Sequence, residues 1–415
     1  MIGLLNALLL VIIAMVLVYA TRHYLFTLVR MFLPANDLYC DLDDAQWPTV
    51  TVQIPAHNEE DVIGHCLDSL LAAAYPPGRL LLMPVNDRSD DRTGEIIDRY
   101  AAEHPGCVVP FHRAAGKPGK AAALKDALEH VDSEILIVFD ADYTPSRTLI
   151  KRLVAPFFDP EIGAVMGRVV PLNAGTNLLT RLLEIERSGG YQVDQQARMQ
   201  LGLVPQYGGT TGGVRVSALK EIGGWHDDTL AEDTDLTYRL LLAGWKTAYQ
   251  NRAECYEEVP ETWRMRMRQI QRWAKGHNQV LWRHLFALMR SRRVSFREKL
   301  DGVFLLGVYL VAPVLAIGWI LVIVLFYLGQ TLFAEAVFLT LCIFVYGSLG
   351  NFAAFFELAA ASHLDRRRDN ARLLPLVMLS FVVSMVAVTR AICSAGLDWL
   401  SRRELVWHKT ARFRR

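Results

Sequence analysis

The chain begins with a helix-length stretch that carries no charge, Ile2–Thr21. At a rise of about 1.5 Å per residue, about 20 apolar residues cross a hydrocarbon core about 30 Å thick. A cleaved signal peptide is the alternative, but it needs basic residues before the apolar stretch and small residues at a cleavage site. Here Met1 leads directly into the apolar stretch, and Arg22, His23 and Arg30 follow it. Because basic residues mark the cytoplasmic side, the sequence predicts a retained anchor whose N-terminus lies outside.

A second apolar region follows Asp301. Three stretches there carry no charge: 302–334, 336–356 and 373–389. They predict membrane spans near 303–328, 333–356 and 373–397. The loop 365–372 (DRRRDNAR) is basic and is expected in the cytoplasm. Three crossings would then put the basic tail 401–415 outside, against the same rule, so either one segment does not cross or the tail departs from the rule.

Composition excludes several classes of protein. Hydrophobic residues make up 52% of the 415 residues, and 44 Lys and Arg balance 43 Asp and Glu. This content excludes intrinsic disorder, and the balance argues against a partner that is a nucleic-acid polymer. The six cysteines stand singly, without a C-x-x-C pair, so a disulfide framework or structural zinc site is not expected.

Between Asp41 and Leu300 short apolar runs alternate with helical patterns. The expected strands are 49–55, 79–85, 107–111, 134–140 and 162–170. Strands that alternate with helices predict a doubly wound, mostly parallel α/β sheet, which binds ligands beyond the carboxyl ends of its strands. The expected organisation is an anchor and juxtamembrane segment (1–40), an α/β domain (41–260), amphipathic interfacial helices (261–300), a membrane region (301–400) and a basic tail (401–415).

Four polar segments fall at chemically informative places. VNDRSDD (85–91) follows a strand, where a carboxylate can bind a nucleotide, although such residues also favour plain turns. FDADYTP (139–145) closes another strand, and its two carboxylates can hold a divalent cation. LAEDTDL (230–236) opens a helix with three acids, of which at least one is expected only to complement the helix dipole. The last segment, 262–289, is a basic helix rich in tryptophan, and its later part, near 277–290, is expected to lie on anionic lipid.

In this order these motifs resemble the membrane-integrated family 2 glycosyltransferases of the cellulose, chitin and hyaluronan synthase type. The resemblance covers about 51–283. It rests on PAHNEE (55–60), NDRSD (86–90), GKPGKAAAL (116–124), DAD (140–142), GGTTGGVRVSAL (208–219), AED (231–233) and QIQRW (269–273). It implies a GT-A-like α/β fold flanked by transmembrane and interfacial helices.

The resemblance also implies a role for each matching residue. On the donor side, Asp87 would contact uracil, Lys120 would lie near the phosphates, and the PAHNEE segment would supply Pro55, His57 and Glu59. Asp140 and Asp142 would meet the ribose, the diphosphate and a Mg²⁺ or Mn²⁺ ion. The catalytic set would be Asp233 as general base, with Glu232, Gln269, Arg272 and Trp273. Two positions depart from the family pattern, since Asn86 replaces an aspartate and Ala231 a threonine.

These residue types predict an inverting hexosyltransferase, because one base and one in-line attack invert the anomeric carbon. The expected donor is a nucleotide sugar, UDP in preference to GDP, and the expected acceptor is a growing β-linked polysaccharide. Transfer of one sugar to a lipid is the alternative. A non-catalytic transport scaffold would have lost acidic or Q-x-x-R-W residues, whereas only Asn86 and Ala231 depart. The expected location is the plasma (inner) membrane, in contact with its lipids, with the catalytic domain in the cytoplasm.

Overall fold

A computed structural model describes residues 2–34, 45–329 and 351–400. Most of the expected span 333–356 and all of the tail 401–415 lie outside the described residues. Within them, a mixed α/β domain stands between an N-terminal helix and a group of C-terminal helices.

The described part of the α/β domain contains an eight-stranded sheet in the order β3-β2-β1-β4-β7-β6-β8-β5. The strands are Val50–Ala56 (β1), Leu80–Asp87 (β2), Phe111–Arg113 (β3), Ile135–Val138 (β4), Thr144–Pro145 (β5), Ile162–Pro171 (β6), Gly212–Arg215 (β7) and Lys246–Glu257 (β8). The predicted doubly wound α/β fold is confirmed. Strands β1 to β4 are parallel to one another, but β7 lies antiparallel between β4 and β6, which makes the sheet mixed.

The third strand begins later than its expected position at 107–111. It starts at Phe111, and Val108 forms only a single bridge to Leu82. Pro110 separates the two, and a proline has no N–H to donate to a ladder. The strand is therefore shortened from its N-terminal side.

Both faces of the sheet are covered by helices, which explains why its central strands are apolar on both sides. On one face, Val52 and Ile54 of β1 pack in a cluster with Ile137. On the other face, Met83 and Leu136 pack in a second cluster. Successive side chains of a strand point to opposite faces, so an unbroken apolar run supplies both clusters.

The helices follow the strands in alternation through the α/β domain and then continue without strands. They are Ile2–Phe32 (α1), Ile63–Leu71 (α2), Thr93–Glu103 (α3), Lys120–Leu128 (α4), Leu149–Val154 (α5), Leu178–Ser188 (α6), Gln196–Gln200 (α7), Val216–Glu221 (α8), Glu232–Ala243 (α9), Trp263–Arg290 (α10), Phe296–Leu306 (α11), Val311–Tyr327 (α12), Asn351–Leu364 (α13) and Leu374–Leu400 (α14). A π-helix, Gly189–Gln195, joins α6 to α7.

Within the described residues, three helical stretches are long and apolar enough to cross a membrane: Ile2–Phe32, Val308–Tyr327 and Leu374–Ile392. The first two pack on each other through Leu9 and Val16 of α1 and Leu321 of α12. The later part of α10 exposes three apolar side chains at helical spacing, those of Trp282, Phe286 and Met289. These features fit association with a membrane.

A buried set of charges ties α1 to the α/β domain. Arg22 of α1 lies 2.7 Å from Asp194 of the π-helix and 3.6 Å from Asp301 of α11. Buried charges are stable only when they are paired and hydrogen-bonded. The pairs therefore fix the position of α1 on the domain.

Candidate active site

The carboxyl ends of β1, β2 and β4 open into a cavity of about 2090 Å³. The twelve residues predicted from the sequence all line it: Pro55, His57, Glu59, Asp87, Lys120, Asp140, Asp142, Glu232, Asp233, Gln269, Arg272 and Trp273. Segments that are far apart in the chain thus meet around one space, at the edge of the sheet where α/β proteins bind ligands.

Asp87 ends β2, is buried, and accepts three hydrogen bonds. Its Oδ1 accepts from Arg113 Nη1 at 2.8 Å and from Arg88 Nε at 3.0 Å, and its Oδ2 accepts from the backbone N–H of Gly119 at 3.1 Å. Gly119 has φ of +119°, a conformation that side chains disfavour. One oxygen of Asp87 therefore holds the glycine loop before α4, and the other is held by two arginines; the base contact expected from the sequence stays a prediction.

The segment that follows β1 is joined to the segment that follows β2. A ring nitrogen of His57, Nδ1, lies 2.7 Å from the backbone oxygen of Asp87, and the N–H of Glu59 donates to Thr93 Oγ1 at 2.8 Å. Pro55 is the Cα partner of Val85 in the ladder between the two strands. These contacts make one wall of the cavity from two adjacent strand ends.

Lys120, the first residue of α4, faces the carboxylate of Asp140. Its Nζ donates to Asp140 Oδ1 at 2.6 Å and to the carbonyl oxygen of Gly209 at 2.8 Å. Burial alone would lower the pKa of Lys120, but the charges of Asp140, Glu232 and Asp233 outweigh burial and raise the pKa. The lysine is therefore a fixed positive charge in the cavity.

Asp140 and Asp142 bring carboxylates to the end of β4, and Asp142 is only 4% exposed. Among the described residues, no group of three or more His, Cys, Asp or Glu side chains forms a closed metal cage. Two carboxylates without further protein ligands suit Mg²⁺ or Mn²⁺, because such ions complete their shell with water and substrate phosphate oxygens. The oxygen donors present therefore fit the cation expected from the sequence.

Glu232 and Asp233 open α9 and face the same cavity. The Oδ1 of Asp233 accepts from the N–H of Thr234 at 2.6 Å and from its hydroxyl at 3.2 Å. Burial and the adjacent Asp233 charge raise the pKa of Glu232 to about 7, against the opposing effect of Lys120. Glu232 can therefore be partly protonated near neutral pH.

The third acid of this segment, Asp235, has a structural position. It is buried away from the cavity, where it accepts from His284 Nε2 at 2.8 Å and from Arg239 Nε at 2.7 Å. Burial alone would raise the pKa of Asp235, but these partners outweigh burial and lower it. One of the three acids is therefore not part of the site, as the sequence led us to expect.

The Q-x-x-R-W motif lies on α10, and two arginines lie near the ring of its tryptophan. The guanidinium carbons of Arg187 and Arg266 lie 5.1 Å and 5.5 Å from the Trp273 ring centroid, within the range of cation–π attraction. Gln269 Oε1 accepts from Arg266 Nη1 at 2.9 Å. The charge of Arg272 acts on Glu232 and opposes the rise of its pKa.

The model of the glycosyltransferase-like family 2 matches residues 48–276, which include all of these site residues. The chain belongs to family 2 of the glycosyltransferases. The probable glycosyltransferase YdaM of Bacillus subtilis is 31% identical over 373 residues, which are 88% of this chain and 87% of YdaM. A family 2 glycosyltransferase domain is thus shown by sequence alone.

Two further similarities concern enzymes that transfer mannose. Glucomannan 4-β-mannosyltransferase 7 of Arabidopsis thaliana is 31% identical over 274 residues, which are 64% of this family 2 chain but only 48% of the plant protein. The chain therefore matches about half the length of that relative. The solved structure of the mannosyltransferase PcManGT from Pyrobaculum calidifontis, in complex with GDP-Man and Mn²⁺, has a TM-score of 0.61 and 21% identity and covers 96% of this chain and 100% of its own, which shows a shared fold.

The two positions at which this family 2 chain departs from the motif pattern have clear structural settings. Ala231 is buried against α10. A Cβ added to Gly276 of that helix would lie 2.7 Å from the Cβ of Ala231. Asn86 accepts from the N–H of Ser89 at 3.2 Å, and its amide nitrogen lies 3.1 Å from His112 Nδ1. The departures thus affect packing and a turn, and they leave the cavity carboxylates in place.

Sequence reasoning missed a buried chain of side chains that links the two halves of the site. Tyr143, which follows the D-x-D motif, donates its hydroxyl to Glu257 Oε2 at 2.7 Å. The Oε1 of Glu257 lies 2.7 Å from Arg187 Nη2, and Arg187 lies against the ring of Trp273. Tyr143 could have been found from the sequence, because it directly follows the D-x-D motif. Glu257 and Arg187 come together only through the fold.

His277 was also missed, although it lies four residues after Trp273 and thus on the same helix face. Its Nδ1 lies 3.2 Å from the backbone oxygen of Trp273, and its Nε2 lies 3.4 Å from Thr234 Oγ1. Burial lowers the pKa of His277 more than the charge of Asp233 raises it. A neutral imidazole therefore lies between the tryptophan and the segment that carries Asp233.

Proposed function

We propose that the protein is an inverting hexosyltransferase that moves a sugar from a nucleotide sugar to a growing β-linked polysaccharide at the membrane. The observation that carries this proposal is the single cavity in which Asp140 and Asp142, Asp233 and Trp273 face one another. A donor diphosphate, an acceptor hydroxyl and an acceptor ring each find a matching group there.

The donor end of the cavity is suited to a diphosphate leaving group. Asp140 and Asp142 would hold Mg²⁺ or Mn²⁺, which when bound neutralises negative charge on the phosphates. Lys120 is a positive charge fixed beside Asp140, and Arg272 lines the same cavity. Fixed positive groups stabilise a diphosphate as its charge develops, because they need not reorganise during the reaction.

The acceptor end is suited to a weak nucleophile. Asp233 would take the proton of an acceptor hydroxyl as that oxygen attacks the anomeric carbon, so an α-linked donor would give a β-linked product. The N–H and hydroxyl of Thr234 both reach the same oxygen of Asp233, which fixes the carboxylate. The face of Trp273 would support the terminal sugar ring, with Arg187 and Arg266 holding the indole.

The relatives widen the range of donors to be considered. UDP-sugars are expected from the sequence, and the plant relatives named as glucomannan 4-β-mannosyltransferases make a mannose donor a second choice. Those relatives are 29–31% identical over a part of their length. We therefore propose a hexose donor, and the donor screen described below identifies its nucleotide.

A lipid acceptor is a second candidate, and one observation favours it. Beyond the polar site the cavity continues between the apolar helices, where its lining is hydrophobic: Val16, Leu315, Trp319, Phe381 and Val388. An apolar slot that opens next to a catalytic base suits the hydrocarbon chain of a lipid whose hydroxyl faces the base.

We further propose a multi-pass protein of the plasma (inner) membrane with its catalytic domain in the cytoplasm. Arg22, His23 and Arg30 lie on the part of α1 that meets the catalytic domain, since Arg22 binds Asp194 and Arg30 binds Gln192. Basic residues at that end of a span favour the cytoplasmic side.

The test is a product analysis with the full chain in lipid nanodiscs with Mn²⁺ and radiolabelled GDP-mannose, UDP-glucose or UDP-GlcNAc. A ladder of β-linked saccharides is expected from one of these donors. A single labelled sugar that extracts with lipid would replace the polysaccharide by the second candidate. No transfer to saccharide or lipid from any donor, with donor binding intact, would contradict both.

A further inference from the structure

The last described helix, α14, is held against the catalytic domain near its start. Asn370, just before it, donates to Glu184 of α6, and Ser380 within it donates to Glu186 of the same helix. Val377 packs with the apolar side chains of α6. This part of α14 therefore lies at the level of a helix that belongs to the family 2 domain.

The later part of α14 is held against the same domain at another place. Ile270 and Ala274 of α10 lie in a common apolar cluster with Ala387, Val388 and Ala391 of α14. These α10 residues are in the segment that contains the Q-x-x-R-W motif, and they are interleaved with Arg268, Arg272 and Lys275. Two places along α14, one near its start and one past its middle, thus rest on parts of the molecule that carry charge.

The distance between these contacts decides the direction of the helix. From Val377 to Ala391 is about 21 Å at 1.5 Å per residue, most of the roughly 30 Å thickness of a hydrocarbon core. If α14 ran across the bilayer, the charged residues of α6 and α10 would accompany it into the core, where each charge is costly. If α14 runs along the membrane plane, the same contacts keep those charges at the surface.

The opposite face of α14 is apolar and open. Leu379 and Val386 are 54% and 46% exposed, and Arg390 continues the same stripe at a spacing of four. The other face closes the cavity, because Phe381, Val382, Ser384, Met385 and Val388 line it. A helix with one face on the enzyme, one apolar face outward and an exposed arginine that can reach headgroups is typical of the lipid interface.

We propose that α14 lies on the membrane surface as a roof over the cavity and does not cross the bilayer. The outward stripe rests among lipid headgroups and upper acyl chains. The basic loop 365–372 and the basic tail 401–415 are then on one side, together with the catalytic domain, which satisfies the positive-inside rule for both. This inference does not depend on the proposed sugar transfer, because it concerns the contacts of α14; its labelling test rests only on the proposed cytoplasmic side of the catalytic domain.

The side of the tail is tested by labelling two single-cysteine proteins, Asp369→Cys and Ser401→Cys, in a chain whose native cysteines are replaced. A membrane-impermeant maleimide is expected to react with both in inverted vesicles and with neither in intact spheroplasts. Labelling of Ser401→Cys from the spheroplast side would overturn the proposal. If Ser401→Cys is unreactive from both sides, C-terminal fusions decide: a fluorescent GFP fusion supports the proposal, and an active alkaline phosphatase fusion refutes it.

The depth of α14 is tested independently with an environment-sensitive fluorophore on Val386→Cys, since Val386 is near the middle of the helix. On a surface helix this position is quenched more by lipids with a nitroxide near the headgroup than by lipids with one near the chain end. A crossing helix gives the reverse order. The matched control is Leu10→Cys, which is exposed in the middle of the apolar stretch of α1 and is expected to show the deep pattern. Both measurements are independent of sugar transfer.

Discussion

The ammonium group of Lys120 lies 2.6 Å from Oδ1 of Asp140 and joins the start of α4 to the end of β4. Because Lys120 also donates to the carbonyl oxygen of Gly209, it connects three segments around the cavity. A charge in this position has two uses. In the proposed mechanism it would orient a carboxylate for a cation, and it would face the phosphates of a bound donor.

Replacing Lys120 by methionine should lower kcat by about 100- to 1000-fold, because the variant loses a preorganised positive charge beside the leaving group. The measurement is initial rate against donor and Mn²⁺ concentration. Lys125→Met is the matched control, since Lys125 is half exposed, pairs with Asp227 at 3.5 Å and does not line the cavity. Equal rates for the two variants would remove Lys120 from the site.

Asp233→Asn should abolish transfer, by at least about 100-fold, while donor affinity stays nearly unchanged, because only the proton acceptor is lost. Asp235→Asn, two residues away, should instead lower the melting temperature. The substitution removes the buried negative charge that Arg239 and His284 bind, which should lower the free energy of unfolding by about 3–5 kcal/mol. Turnover by Asp233→Asn at the wild-type rate would show that another group is the base.

Glu232 should make the protein less stable as the pH rises from about 4.5 to 7. The fold raises the pKa of this carboxyl from 4.5 to about 7, so the folded state binds the proton more tightly than the unfolded chain. In this interval the unfolded chain loses its proton first, and unfolding becomes easier as the pH rises. Glu232→Gln should reduce the fall in melting temperature between about pH 4.5 and pH 7. The same fall in the variant and the wild type would show that Glu232 is already ionised in the folded protein.

Tyr143→Phe should disconnect the D-x-D segment from Glu257 and, through Arg187, from Trp273. We expect kcat/KM to fall about 10- to 100-fold, because small displacements of reacting groups are costly. The control is Tyr75→Phe, which removes a hydroxyl that donates to the carbonyl oxygen of Pro48 at 2.6 Å, away from the cavity. Loss of activity in both variants to the same degree would mean that the effect is general destabilisation.

The sequence was sufficient to predict several residues that line the cavity because they follow strands or open helices, whereas Gln269, Arg272 and Trp273, inside α10, were predicted from the family resemblance. Asp87 ends β2, Asp140 follows β4, and Glu232 begins α9. A parallel strand delivers its carboxyl end to a common edge of the sheet. At these positions the local sequence pattern therefore predicted which residues meet in space.

The same approach could not find β7 and β8. Strand β7 is only four residues, GGVR, and two of these are glycines that weaken strand patterns. Strand β8 mixes polar and apolar residues without a clean alternation. Arg187 and Glu257 were missed for a related reason, since their pairing depends on β8 and α6 meeting in space.

Contact between Ala231 and Gly276 sets how closely the segment before Asp233 approaches the helix that carries Trp273. With a methyl group on one side and a hydrogen on the other, the start of α9 and the middle of α10 approach as closely as their backbones allow. In the proposed mechanism these two small residues, neither of them in the catalytic set, would determine the width of the acceptor slot. Widening that slot by engineering would begin at position 276, which is not among the residues that line the cavity, and would leave the reacting groups unaltered.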